Sequence, residues 1–145
     1  MSLPEPVPGL IIRYSYLWRA EQARGQEEGI KDRPCAIVLV AHEVGDERVV
    51  TVLPISHTPP VDSALAVEIP AGTKRRLGLD DERSWVVLSE ANRFIWPGPD
   101  LRPLRPADGM SVAFGLLPYS LFETIRRKFI AAIRARRAGT VKRSE

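Results

Sequence analysis

The chain has one cysteine and two histidines in 145 residues. A single thiol, Cys35, cannot form an internal disulfide, which fits a reducing cytoplasm. It lies within an apolar run, where an inert buried thiol is the simpler reading than a nucleophile. His42 and His57 with one cysteine specify no tetrahedral metal site, so neither metal nor cofactor is expected. The longest apolar run, Pro34 to Ala41, is too short to span a bilayer. The opening MSLPEPVPG has neither a basic nor an apolar region of a secretory signal. "PAGTKRRLG" lacks the Lys-Ser/Thr ending of a phosphate loop. Internal repeats are absent too.

Charge is what the chain does have, unevenly placed. Lys and Arg number 21 against 18 Asp and Glu, a net of +3. Eight of those bases lie between Arg126 and Arg143 with no acid among them. Without that segment and Glu145 the chain holds 13 basic and 17 acidic residues, a net of −4. The high isoelectric point therefore reports a basic C-terminus on a mildly acidic body.

At this length one domain is expected, with a loose arm at 1–8, a body at 9–138 and a basic tail at 139–145. In "GLIIRYSYLW" the residues Leu10, Ile12, Tyr14, Tyr16 and Trp18 alternate onto one face, the period of a strand. "RAEQARGQEEGI" reads as a long loop. "PCAIVLVA" reads as a strand buried on both faces or nearly so. "RVVTVLPI" follows and is stopped by "SHTPP", because proline cannot donate to a ladder. "ALAVEIP", "SWVVLSE", "NRFIW" and "MSVAFG" read as further short strands. Thr73 is a candidate cap for one helical turn in "AGTKRRLGLDDE", and "PGPDLRPLRPADG" is irregular. From Pro118, Leu121, Phe122, Ile125, Phe129, Ala132 and Ile133 recur at helical spacing, and Gly139 lies just past the expected end. The order predicts a mainly β domain, a small closed or half-closed barrel with a C-terminal amphipathic helix packed on it.

Polar residues gather at the ends of these strands. Arg33 precedes the most apolar strand; Ser56, His57 and Thr58 follow the next; Glu90 and Asn92 follow "WVVL". In an antiparallel sheet the start of one strand lies beside the end of its neighbour, so Arg33 and Ser56 meet at one rim if their strands pair. Each residue alone fits a solvated strand end equally. Tyr16, Trp18, Trp85, Phe94 and Trp96 are aromatics able to stack bases; Trp85 is expected in the core, and Trp96, beside Pro97-Gly98, is the best exposed candidate. The basic stripe of the last helix fits RNA phosphates or a solvated face.

The ordered set "PGLIIRY", "GQEEGIKDRPCAIVL", "VTVLPIS" and "WVVLSEANRF" resembles the PemK/MazF family of toxin endoribonucleases over about residues 8 to 95. Its marks are a Gly-led first strand, an acidic Gly-rich loop ending in Arg-Pro, an apolar strand, and a strand ending Pro-x-Ser/Thr. The resemblance implies an SH3-like small barrel and metal-independent cleavage of single-stranded RNA by attack of a 2′-hydroxyl on the adjacent phosphate. It implies a homodimer and a cognate antitoxin protein as partners. Arg33 takes the place of the family's arginine. Its planar fork suits charge stabilisation on a phosphorane better than proton donation. Ser56 takes the place of the motif hydroxyl, Glu27 or Glu28 that of the loop acid, and Glu90 that of an acid that serves as base in some members. His57 is a candidate acid–base group if the strand has ended before it. Lys31, Thr58, Asn92, Arg93 and Trp96 complete the expected RNA-binding set with Glu27. The segments "TKRRLGLDDERSW" and "WPGPDLRPLRP" and the acidic body differ from compact members. They define the alternative, a non-catalytic small-barrel module that binds RNA or a partner protein.

Overall fold

The computed structural model describes residues 3–25, 32–42, 44–104 and 111–143. Among these residues eight strands and three α-helices follow in the order β1 (Leu10–Tyr14), α1 (Arg19–Ala23), β2 (Arg33–His42), β3 (Arg48–Ser56), β4 (Ala66–Glu68), α2 (Ala71–Leu77), β5 (Trp85–Val87), β6 (Glu90–Ile95), β7 (Ala113–Leu116), α3 (Tyr119–Arg134) and β8 (Gly139–Lys142). The fold is mainly β, as the pattern of short strands predicts. No helix among the described residues is long and apolar enough to cross a membrane.

One sheet runs in the order β4-β5-β3-β2-β1-β7, and β6 pairs with β3 and carries β8. Every pairing is antiparallel except β6 with β8. The long strand β3 serves two neighbours along one edge. Val49–Val52 pair with β6, and Ile55 and Ser56 pair with β5. A core lies on each face of the sheet. Ile11, Ala36, Val38, Leu53 and Ile55 face one core, which α3 covers with Phe122, Ile125 and Phe129. Leu10, Ile12, Tyr14, Cys35, Ile37, Val50 and Val52 face the other, with Phe94 and Trp96. The alternation is the two-residue period of a strand, applied to a sheet buried on both sides.

Of the closed or half-closed barrel expected, the closed form does not occur among the described residues: β4 and β7, at the two ends of the sheet, share no ladder. Helix α2 reaches across instead. Arg76 donates to the Leu116 carbonyl at 2.9 Å, and Leu77 packs so near Gly115 that a Cβ there would lie 3.0 Å from it. Gly115 also has φ +139°, a conformation only glycine adopts without strain.

Other elements differ from the expectation for identifiable reasons. Strand β1 stops at Tyr14, not Trp18, because the Ser15 N–H turns to the Asp100 carbonyl. Its Ile11 is as buried as its neighbours, so the strand has two apolar faces where one is expected. The presumed loop after it opens with α1, capped from afar by Glu90, which accepts the Arg19 N–H at 3.0 Å. Thr73 lies inside α2 rather than capping it, since Pro70 precedes the first turn. Ile133 is half exposed, because the buried stripe of α3 runs through Phe122, Ile125, Phe129 and Ala132. The expected basic tail is in part a strand: β8 lies parallel to β6, pairing Glu90 with Gly139 and Arg93 with Lys142.

Candidate functional site

The register of β2 on β3 pairs Cys35 with Pro54 and Ala36 with Leu53. Extended by two residues, it sets Arg33 opposite Ser56. Side chains so placed have Cβ atoms about 5 Å apart. Both residues line one cleft of about 760 Å³, together with Trp18, His57, Thr58 and the wall Pro59-Pro60-Val61.

Arg33 stands over the Trp18 ring, its guanidinium carbon 4.9 Å from the ring centroid, a cation–π distance. Nη1 reaches the Ile55 carbonyl at a loose 3.4 Å, and Nε is buried without a partner. No carboxylate among the described residues forms an ion pair with it. A half-buried guanidinium over an aromatic ring and short of acceptors has the chemistry to receive an anion, since its fork matches two phosphate oxygens.

Strand β3 ends at Ser56, so His57 belongs to the turn and the strict alternation of faces no longer separates the two. Ser56 Oγ accepts the Thr58 N–H at 3.0 Å, which leaves the hydroxyl proton to donate into the cleft. The His57 side chain is 52% exposed, and its Nε2 lies 2.7 Å from Asp80 Oδ2. Asp62, the remaining acid on the cleft wall, is tied to Arg137; that hydrogen bond, with the Ala64 N–H, holds its carboxyl below the usual range. His57 is thus the ring in the cleft whose two nitrogens can donate and accept a proton.

Sequence reasoning saw no metal cluster, yet the fold gathers donor atoms of His57, Asp80 and Glu82 within 4.8 Å of one another. The Lys74 ammonium, 2.6 Å from Asp80 Oδ1, already supplies a cation to that carboxylate and would repel a divalent ion beside it.

The other expected residues lie elsewhere. Asn92 is 0% exposed; its amide accepts the Leu17 N–H at 2.9 Å and donates to the Leu17 carbonyl at 2.8 Å. It pins the segment before α1 and has nothing left to offer an RNA. Trp96, expected at the surface, is 8% exposed and packs with Phe94 in the second core. Trp85 is buried as expected. Arg93 is exposed on β6 but lines a separate recess with Glu47 and Lys142. Glu27 and Lys31 lie outside the described residues.

Glu90 is not on the cleft wall. Its carboxylate accepts the Tyr16 hydroxyl at 3.1 Å and the Arg19 N–H, a structural cap rather than a base. Burial pushes its carboxyl up, and the two donors only partly oppose this. A carboxyl raised in the folded state contributes stability at low pH that is lost as the pH rises through the folded value. A Glu90→Gln amide oxygen accepts from the same donors. The variant should therefore gain on the wild type as pH rises from about 4.3, the unfolded glutamate value. Urea titrations at stepped pH test this; a variant that loses ground with rising pH contradicts it.

Cys35 is fully buried, and burial pushes its thiol up, which removes it as a nucleophile. Compared with known proteins, the chain matches no family model, no curated protein and no solved structure.

Proposed function

We propose that the chain is a metal-independent endoribonuclease that cuts single-stranded RNA in the Arg33–Ser56 cleft, the toxin of a type II toxin–antitoxin pair. One observation carries this reading: a guanidinium with no ion pair among the described residues and a hydroxyl 23 positions away in the chain share one open cleft.

In this reading a phosphodiester lies against Arg33, with the Ser56 and Thr58 hydroxyls on its non-bridging oxygens, and a flanking base stacks beside Trp18. The ribose 2′-hydroxyl attacks phosphorus and the bond to the 5′-oxygen breaks. His57 takes the 2′-hydroxyl proton, and the departing 5′-oxygen takes one from solvent. The products are a 2′,3′-cyclic phosphate and a 5′-hydroxyl. Arg33 stabilises the charge of the phosphorane, where a fixed cation acts most strongly. A single-stranded substrate fits, because stacking on Trp18 and strain-free access to the 2′-hydroxyl need unpaired nucleotides. A curled sheet read as an SH3-like barrel, a homodimer, an antitoxin that covers the cleft and a cytoplasmic site of action all go with this proposal.

Purified protein incubated with mixed RNA in EDTA should yield fragments with cyclic phosphate ends. RNA that binds in a salt-dependent way yet stays whole overturns cleavage and leaves the alternative, a binding module. Trp18→Ala should weaken RNA binding by about 1–3 kcal/mol, the worth of one stacked base, read by fluorescence anisotropy with a short oligonucleotide. Unchanged affinity would place the RNA elsewhere.

A further inference from the structure

Behind His57 lies a buried lysine. Lys74, on α2, is 4% exposed, and an ammonium there is costly unless its donors are all met. They are: Nζ donates to Asp80 Oδ1 at 2.6 Å, to Ser84 Oγ at 2.5 Å and to the Glu82 carbonyl. The Glu82 N–H also donates to Asp80 Oδ1, at 3.2 Å. One oxygen of the Asp80 carboxylate is therefore committed to two donors, and the other, Oδ2, is left for His57 Nε2 at 2.7 Å. Lys74, Asp80, His57 and Arg33 line a recess of about 210 Å³ that shares Arg33 and His57 with the main cleft.

We infer that Lys74 and Asp80 are positioning residues that set the tautomer of His57: Nε2 carries the proton and donates it to Asp80, and Nδ1 keeps the lone pair that accepts a proton. The logic is one of acceptors. An ionised carboxylate only accepts, so the ring nitrogen facing it must donate. Although burial alone would raise it, the hydrogen bonds from Lys74 and His57 hold the Asp80 carboxyl below its ordinary range, which keeps it ionised. The charged groups near His57 are Asp80, Glu82 at 3.6 Å, Lys74 through Asp80, Arg33 on the shared wall, Asp32 in the recess and Asp62 on the cleft wall. The consequence for catalysis rests on the cleavage reading above; the tautomer does not.

Asp80→Asn separates the two. The asparagine oxygen must still face the Lys74 ammonium and the Glu82 N–H, so its NH2 turns to His57 Nε2, which then has to accept. The tautomer should switch to Nδ1–H. The asparagine oxygen still accepts from Lys74 Nζ, whose bonds to Ser84 Oγ and the Glu82 carbonyl remain, so the variant should fold. Nitrogen-15 imidazole spectra of the free protein, in a His42→Gln background and at about pH 9 where imidazoles are neutral, should show Nε2–H in the parent and Nδ1–H in the variant. The same tautomer in both, or a mixture in the parent, overturns the inference; Lys74→Met leaves the carboxylate ionised but no longer held against His57, and should bring on such a mixture. With RNA as substrate, Asp80→Asn should lower kcat roughly 100-fold or more with KM within about threefold. A switch of tautomer with undiminished kcat would remove His57 from the chemistry. A switch in a protein that cuts no RNA would sustain the positioning role and defeat the nuclease proposal.

Discussion

Arg33→Ala is expected to lower RNA cleavage by about 100- to 1,000-fold, the usual effect of removing one donor that stabilises transition-state charge. The stability of the fold should change little. The guanidinium has no ion pair among the described residues and a buried Nε without a partner, so its removal relieves an unmet donor while losing the contact with Trp18. Loss of activity without loss of stability is the signature of a residue held for a ligand. Arg33→Lys should recover part of the rate, since it restores the charge but not the planar fork. Single-turnover cleavage measured beside urea titrations tests this. Cleavage by Arg33→Ala within about tenfold of the wild type would sink the assignment.

Arg143→Met should cost about 3–5 kcal/mol of folding stability, the range for a buried ion pair broken from one side. The Arg143 side chain is 1% exposed and the Asp100 side chain 9%. Nη2 donates to Asp100 Oδ2 at 2.8 Å, and Nη1 donates to the Ser15 carbonyl at 2.7 Å and to Asn92 Oδ1 at 3.0 Å. The substitution fills the volume but leaves a buried carboxylate facing a thioether, with Arg102 3.8 Å away at the edge. Removing β8 together with Arg143 should destabilise at least as much, because Asn92 and the Leu17 backbone rely on the same network. Urea denaturation is the measurement. A loss below about 1 kcal/mol, typical of a surface pair, would mean that the segment is the appendage its composition suggests.

The strands were legible where pattern and neighbours agreed. β2 and β3 are read correctly because runs of Val, Ile and Leu, broken in β3 only by Thr51 and Pro54, carry them, and β3 ends at Ser56, shortly before Pro59-Pro60. α3 follows from the spacing of Phe122, Ile125 and Phe129. The meeting of Arg33 with Ser56 could be foreseen, since it needs only that two consecutive strands pair antiparallel. Trp96 and Asn92 could not be placed, because a single aromatic or amide beside a turn looks the same whether its other side meets solvent or a core. Lys74 gave no signal at all: in "GTKRRLG" it is one cation among three, and its burial depends on Asp80 and Ser84 closing around it.

Local order along the chain sufficed for the type of β2, β3 and α3 and for the candidates Arg33, Ser56 and His57. Folding in three dimensions alone decided that the sheet stays open among the described residues with α2 across its ends, that Glu90 caps a helix 71 positions away, and that Arg143 returns across 128 positions to Ser15. Periodicity reports which face of an element is apolar over a few residues. A buried polar side chain is placed by the one acceptor it finds after distant segments close on each other, and that partner leaves no mark in its neighbours.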